Sequence, residues 1–489
     1  MHRFTLIVLM ALAVESAADE FRTWTTSSGR RSDVRLKLID QTDVVVRLQR
    51  EDNGKIISLP KTGLSREDRQ YVKTLSETPT SATAAAGDAA ASGRNTDWSQ
   101  WRGANRDGIS SETGLLDAWP SSGPPLLWNI TGLGEGYSTP SVSDGEVFVL
   151  GTRGSEELLF CLSLSDGSIK WTCGMGQKAG GGGYPGPRGT PTVDGQWIYA
   201  IGSDGTLACI DRKSGDMKWR KNFKQDFSGQ HGHWDYAESP LIDDDKLICT
   251  PGGPKGTMVA LNKNSGAVIW SGSAAELGGG YTTASYASPI VAQFGGARQY
   301  IAFLHGGVVG FDSKTGQGLC HYDAPANWTA NCSTPVVADG AVFAASGYGT
   351  GGGKATVRGS GTRWNVNEDY FVKEFQNHHG GFVLVDGFLY GTNDSVLLCV
   401  DWKTGNVRWK KRSVGKGSTS FADGHLYVRS EQGDVALVKA SPEDYVEVGK
   451  FSQPDRSDKN AWPHPVISNG KLLLRDQDRM LCYDIKAPR

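Results

Sequence analysis

The sequence predicts an all-β protein: an eight-bladed β-propeller preceded by a small β-rich domain. Three observations carry this. Glycine supplies 64 of the 489 residues, about twice the share in an average protein, and each Gly inside a helix costs ~1 kcal/mol relative to Ala, so a mainly helical fold is excluded. A hairpin-sized motif recurs from residue 98 onward. Near the N-terminus, apolar and polar residues alternate with the period of half-buried strands. The 51 basic and 53 acidic residues nearly cancel, so no overall field draws the chain to nucleic acid or anionic lipid. Hydrophobic residues make up 38% of the chain, enough for a core.

The first element is an export signal at residues 1–18. His2 and Arg3 open it, Phe4–Val14 is apolar, and Ser16 and Ala18 are small residues spaced for cleavage. The apolar run is shorter than the ~20 residues that span a bilayer. No membrane span is expected, and the mature chain is placed outside the cytoplasm, periplasmic or secreted. Residues 20–75 read as a compact β domain. Val34, Leu36 and Leu38 alternate with polar residues, as do Val44, Val46 and Leu48. Asp52-Asn53-Gly54 marks a turn, and Ser65 with Asp68 has the spacing of a capping box. Residues 76–97 are mostly Ala, Ser, Thr and Gly, which bury no surface and form a flexible linker.

The propeller fills residues 98–489. The run Cys209-Ile-Asp-Arg-Lys-Ser-Gly-Asp-Met-Lys-Trp219 recurs from Cys161 to Trp171, from Ala260 to Trp270 and from Cys399 to Trp409. A further copy runs from Gly310 to Cys320 and lacks the Trp. Each copy reads as a strand, a turn closed by Gly and a second strand ending in an aromatic residue. Upstream of each lies a second hairpin marked by Pro and a small turn, as in Thr190-Pro191 and Asp194-Gly195. Two hairpins make a four-stranded blade. Eight pairs of turns at about 44 residues each favour eight blades over seven.

The unit beginning at Thr334 is irregular after Gly347, and the last unit ends near Lys486 without its fourth strand. A lone strand near 124–130, containing Trp128, is placed to complete that blade and close the ring, leaving no open sheet edge. Cys161, Cys209, Cys399 and Cys482 share one place in the repeat, held elsewhere by Ala260 and Gly310, and act there as small hydrophobes. Cys173, Cys249, Cys320 and Cys332 fall outside it, and a Cys320–Cys332 disulfide is open to an exported chain.

This repeat, with its entry segment Trp98-Ser-Gln-Trp-Arg-Gly-Ala-Asn-Arg-Asp-Gly108, resembles the exported bacterial PQQ-like (pyrroloquinoline-quinone repeat) propellers. The N-terminal pattern of Arg22, Trp24, Gly29, Gly54, Lys55, Leu64, Asp68 and Tyr71 resembles homology domain 1 of the Sla family of adaptors, an SH3-like barrel that binds short peptides. The first resemblance implies that Trp171, Trp219, Trp270 and Trp409 pack between adjacent blades as structural residues. It also offers two functions. Some relatives are scaffolds, such as the propeller lipoprotein of the outer-membrane assembly machine. Others are quinoprotein dehydrogenases with adjacent cysteines beside the quinone, Ca²⁺ ligands and a catalytic Asp. This sequence has no Cys-Cys pair and no acid assignable to those roles. The expected function is therefore a non-catalytic, exported binding or scaffold protein, with no cofactor and no catalytic residue assigned. Its partner is an envelope or extracellular protein, or a small ligand at the propeller mouth. The alternative is a PQQ- and Ca²⁺-dependent oxidoreductase acting on an alcohol or aldose.

Segments preceding the innermost strands should meet around the channel on one face. They carry Arg188, His231, His233, Trp234, Glu238, Tyr286, Asn331, His378, His379 and His464, with Tyr137, Tyr184 and Trp462 nearby. Such a concave mouth suits an anion, a sugar or a quinone-like ligand. His231, His233, His378 and His379 could instead hold a metal, or the polar residues could simply fill the channel and satisfy backbone groups. The glycine runs 180–183 and 349–353 match no phosphate-binding loop and read as mobile rim loops.

Overall fold

A computed structural model of the chain describes residues 23–26, 30–41, 45–53, 55–60, 62, 64–68, 72, 96–253, 256–277 and 282–488. The expected signal at 1–18, and the expected linker apart from its last two residues, lie outside the described residues. The chain divides into two units, Met1–Asp88 and Ala89–Arg489.

In the first unit, strands Leu36–Gln41, Val45–Arg50 and Ile56–Pro60 form an antiparallel three-stranded sheet. The alternation turns Leu36, Val46 and Leu48 into a core with Trp24, Leu64 and Val72. Trp24 Nε1 donates to Leu36 O at 2.8 Å. Ser65 Oγ accepts from the Asp68 N–H at 3.1 Å, as the capping spacing predicts.

The second unit is a ring of eight four-stranded antiparallel blades. Blade 1 runs outward through Ser141–Ser143, Glu146–Arg153, Glu156–Ser163 and Ile169–Gln177. Blades 2 to 7 begin at Thr192, Leu241, Ile290, Val336, Val383 and Gly417. Blade 8 is Val466–Ser468, Lys471–Asp476 and Arg479–Asp484, completed by Leu126–Ile130 from the other end of the unit. In that closing pair Trp128 lies opposite Cys482, repeating the Cys161–Trp171, Cys209–Trp219 and Cys399–Trp409 pairs. The register of all eight outer ladders shifts immediately after this pair, a bulge that bends the outer strand.

The apolar cores lie between blades. Phe148 and Leu159 of blade 1, for example, pack on Ile198 and Ala208 of blade 2. The repeated tryptophans bridge these junctions. Trp171 Nε1 donates to Arg212 O at 3.1 Å, Trp219 to Lys263 O at 3.1 Å, Trp270 to Ser313 O at 3.3 Å and Trp409 to Ser441 O at 2.8 Å. In the first three junctions the accepting turn also holds a left-handed glycine, Gly215, Gly266 or Gly316, at φ +79°, +71° or +73°. A Cβ on Gly215 or Gly266 would sit 2.8 or 2.9 Å from the facing indole. Glycine is thus required there twice, by conformation and by the close approach of the ring.

Three blades lack the Trp. In blade 4, Cys320 lies opposite Gly310. In blade 5, Tyr370 lies opposite Lys354 and donates its hydroxyl to Trp402 O at 3.1 Å. In blade 7, Gly449 leaves room for Trp119, which packs on Tyr427 and Phe451 at 5.6 and 5.5 Å between ring centroids.

Two expectations are corrected. All eight cysteines are free, so there is no Cys320–Cys332 bridge: Cys320 packs in the core shared by blades 4 and 5. Residues 351–353 are not a rim loop. They open a ten-residue strand, Gly351–Ser360, paired with Arg363–Val372, because glycine alone fits beneath Phe343 and Phe371. The 180–183 run is a rim turn, but a fastened one: Gly181 N donates to Asp235 Oδ2 at 2.5 Å. No helix among the described residues is long and apolar enough to cross a membrane.

The segment from Asp97 to Glu112 crosses one end of the channel. Trp98 pairs with Val142 of blade 1, Ser99 accepts from Val193 of blade 2, and Ser110 donates to Phe421 of blade 7. Trp101 Nε1 donates to Thr334 Oγ1 at 2.8 Å, and Arg106 donates to Ser239 O and Pro240 O at 2.8 and 2.9 Å. The buried Arg102 donates to Phe382 O. This segment closes the channel from within.

Candidate functional site

Because the channel is plugged, its open end is a cup of about 320 Å³. Trp101 of the plug and His464 line its deep end, with ring centroids 4.6 Å apart. One wall is a stack in which Tyr137 and Tyr184 face Trp462 at 4.4 and 4.9 Å. Opposed to these are Trp234 against Tyr286 at 5.6 Å, and Tyr348 stacked on His378 at 4.4 Å.

The polar centre of the cup is Glu431, at the end of the second strand of blade 7. Its Oε1 accepts from Trp462 Nε1 at 2.8 Å and His379 Nε2 at 3.0 Å, with Lys416 Nζ at 3.4 Å. Burial pushes this carboxyl up, but the His379, Lys416 and Trp462 donors outweigh it and hold it down at about 2. It is therefore a fixed anion near neutral pH. Opposite results follow for the imidazoles. Burial, with the Arg102 charge, drives His464 well below the usual histidine range. Burial and Lys416 also lower His378. His464 Nε2 donates to His379 O at 2.9 Å, which leaves Nδ1 toward Arg102 at 3.4 Å. Burial raises the Cys332 thiol to about 12 and the Tyr286 phenol to about 12, so neither is a ready nucleophile.

Six of the ten sequence candidates line the cup: Arg188, Trp234, Tyr286, His378, His379 and His464. Arg188 holds its own loop, donating to the carbonyls of Tyr184 at 2.6 Å and of Gly181 and Gly186 at 3.3 Å. The other four do not line it. His231 is turned to Gly232 O at 2.7 Å. His233 packs on Trp234, with ring centroids 5.2 Å apart, over Gly182. Glu238 is buried and accepts from Thr250 N at 2.7 Å. Asn331 donates to Leu304 O and His305 O, both at 2.9 Å, joining the connections of blades 4 and 5. No group of three His, Cys, Asp or Glu that could hold a metal occurs among the described residues, so the four-histidine metal site does not form.

Glu431, Lys416, Tyr348 and Trp101 were not among the sequence candidates. In a four-stranded antiparallel blade, the segment entering the first strand and the turn between the second and third lie at the same end. The sequence candidates lie on the former, while Glu431 and Tyr348 come from the latter. Lys416 directly precedes the inner strand of blade 7 but lacks the Pro that marks its counterparts.

A PQQ-type family model, described as outer membrane protein assembly factor BamB, matches residues 155–411, just over half of the chain. The chain belongs to this family. Among curated relatives, the assembly factor BamB of Yersinia pestis is 25% identical over 166 residues, which cover 33% of this chain and 40% of that protein. A quinoprotein ethanol dehydrogenase of Pseudomonas aeruginosa is 26% identical over 115 residues, covering 23% of this chain and 18% of that one. The matches thus span two-fifths or less of these relatives' length. Among solved structures, BamB from Moraxella catarrhalis aligns with a TM-score of 0.53 at 14% identity, over 74% of this chain and 98% of that one. A quinohemoprotein alcohol dehydrogenase from Pseudomonas putida HK5 aligns with a TM-score of 0.57 at 12% identity, over 81% of both chains. At such identities the likeness is one of fold.

Proposed function

We propose that the chain is an exported binding protein whose propeller, chiefly through the cup at its mouth, holds a protein or small-ligand partner without transforming it. The observation that carries this is the state of the polar groups in the cup. Glu431 is an anion already tied to three donors, Arg188 is occupied by loop carbonyls, and His464 is neutral and buried. Such groups recognise and orient; none is poised to move a proton near neutral pH.

The quinoprotein reading draws on the ethanol dehydrogenase match and requires the cup to hold that enzyme class's quinone cofactor. PQQ would bring an electron-accepting quinone, three carboxylates and Ca²⁺. Those carboxylates need free cationic donors, yet the guanidinium of Arg188 is taken and Lys416 already faces Glu431. Glu431 would repel them. A hard cation needs a cage of oxygen ligands, and Glu431 is the one carboxylate among the described residues of the lining. The residues present do not fit the cofactor.

The first unit is assigned, on its sequence pattern and its sheet around Trp24, as an SH3-like module that adds a peptide-binding or targeting function. Envelope extract passed over the full chain, and over one lacking residues 21–75, tests the reading. Retention of a specific partner by either supports it; retention by neither removes its main support. Dye reduction with an alcohol or aldose after adding PQQ and Ca²⁺ would overturn it.

A further inference from the structure

We propose that the cup takes an uncharged carbohydrate, a mono- or disaccharide, stacked on its aromatic walls and hydrogen-bonded by Glu431 and Lys416. This rests on the binding reading above and names its ligand class.

A sugar ring has a C–H face that lies well on an aromatic face, and a rim of hydroxyls that both donate and accept. The cup offers both complements. Its walls carry the stack of Tyr137 and Tyr184 on Trp462 and the facing pair Trp234 and Tyr286, with Trp101 at the deep end. Its polar edge is half used. The donors from His379, Trp462 and Lys416 all reach Glu431 Oε1. Oε2 has no donor among the described residues and is not among the buried unpartnered atoms, so it is open to a ligand hydroxyl. Lys416 Nζ keeps further hydrogens. His379 Nδ1 is buried beside them and unpartnered.

Charge selects against ions. Glu431 is countered by Lys416, and Arg188 is turned to carbonyls. An ionic ligand would lose its hydration here without meeting an unpaired counter-charge, which is unfavourable. Cleavage of a glycosidic bond takes a pair of carboxyl groups flanking it. The lining has one among the described residues, so the sugar is held and not hydrolysed.

The test is a tryptophan-fluorescence titration of the full chain with glucose, N-acetylglucosamine, maltose and cellobiose at millimolar concentrations, with choline and phosphate in parallel. A saturable change is expected with at least one saccharide and with neither ion. Tyr184→Ala and Glu431→Gln should each weaken it by about tenfold, with thermal melting and far-ultraviolet spectra confirming that both variants fold. Trp328→Ala, at an indole 68% exposed and off the lining, should leave it unchanged. No response to any saccharide, a response to choline or phosphate instead, or full binding by both cup variants would overturn the proposal. If saccharides fail but an envelope protein is retained, and Glu431→Gln releases it, only the ligand class falls. If nothing is retained either, the binding reading falls with it.

Discussion

Replacing Trp219 with Ala, alone and together with Gly266→Ala, measures how tightly blade 2 is fastened to blade 3. The indole packs against the core that includes Tyr199 and Leu261 and donates to Lys263 O at 3.1 Å. Loss of the ring and its bond should cost about 3–4 kcal/mol, the lower part of the range for large core residues because one edge is exposed. Gly266→Ala alone forces a side chain into φ +71° and sets its Cβ 2.9 Å from Trp219 Cε3. The conformation costs about 1 kcal/mol and displacement of the ring a further 1–2 kcal/mol. With the ring gone, only the conformational part remains. The double variant should therefore fall short of the summed single losses by at least about 1 kcal/mol. Guanidinium unfolding followed by far-ultraviolet circular dichroism supplies the four free energies. Additivity within about 0.5 kcal/mol would refute the account of why the turn demands glycine.

Burial raises the Glu238 carboxyl to about 7, so the folded chain holds its proton where the unfolded chain does not. That stability is complete below the ordinary carboxyl value of 4.5 and is lost as pH rises through 7; Glu238→Gln should flatten the stability–pH curve there by up to about 3 kcal/mol. Glu431 has the opposite sign. Its stabilisation is present above 4.5 and lost as pH falls toward 2, and melting temperatures of Glu431→Gln should show a weaker acid loss than the parent. Deleting residues 124–130 leaves Arg479–Asp484 as an open edge, and light scattering should detect self-association absent from the full chain.

The hairpins were legible because their information is local. A strand, an Asp, a left-handed Gly and an aromatic are written within the eleven residues from Cys209 to Trp219. Closure was legible by remainder, since Trp128 had a strand without a hairpin and Cys482 a hairpin without a strand. Blade 5 was counted from its inner hairpin, but its outer hairpin escaped because Tyr370 stands for Trp and a long hairpin replaces the short turn. Its Gly351–Gly353 looked like loop because the sequence does not show what lies against a strand. The site was half legible. Residues on the entering segments were visible, but which of them turn inward depends on carbonyls supplied by other blades, as Asn331 illustrates. Trp101 carried no local signal, because a segment laid across one end of a ring is held by contacts with several blades.

The closing strand also sets a timetable. Asn129 and its partner Arg479 lie 350 residues apart. At about 5–20 residues per second of synthesis, the earlier strand waits roughly 20–70 s for the later one. Until then the growing chain is an unclasped arc, unfinished at both ends. A product that stops short of Arg479 has every other blade and still no ring, so the strand Arg479–Asp484 acts as a completeness check on the blades that precede it.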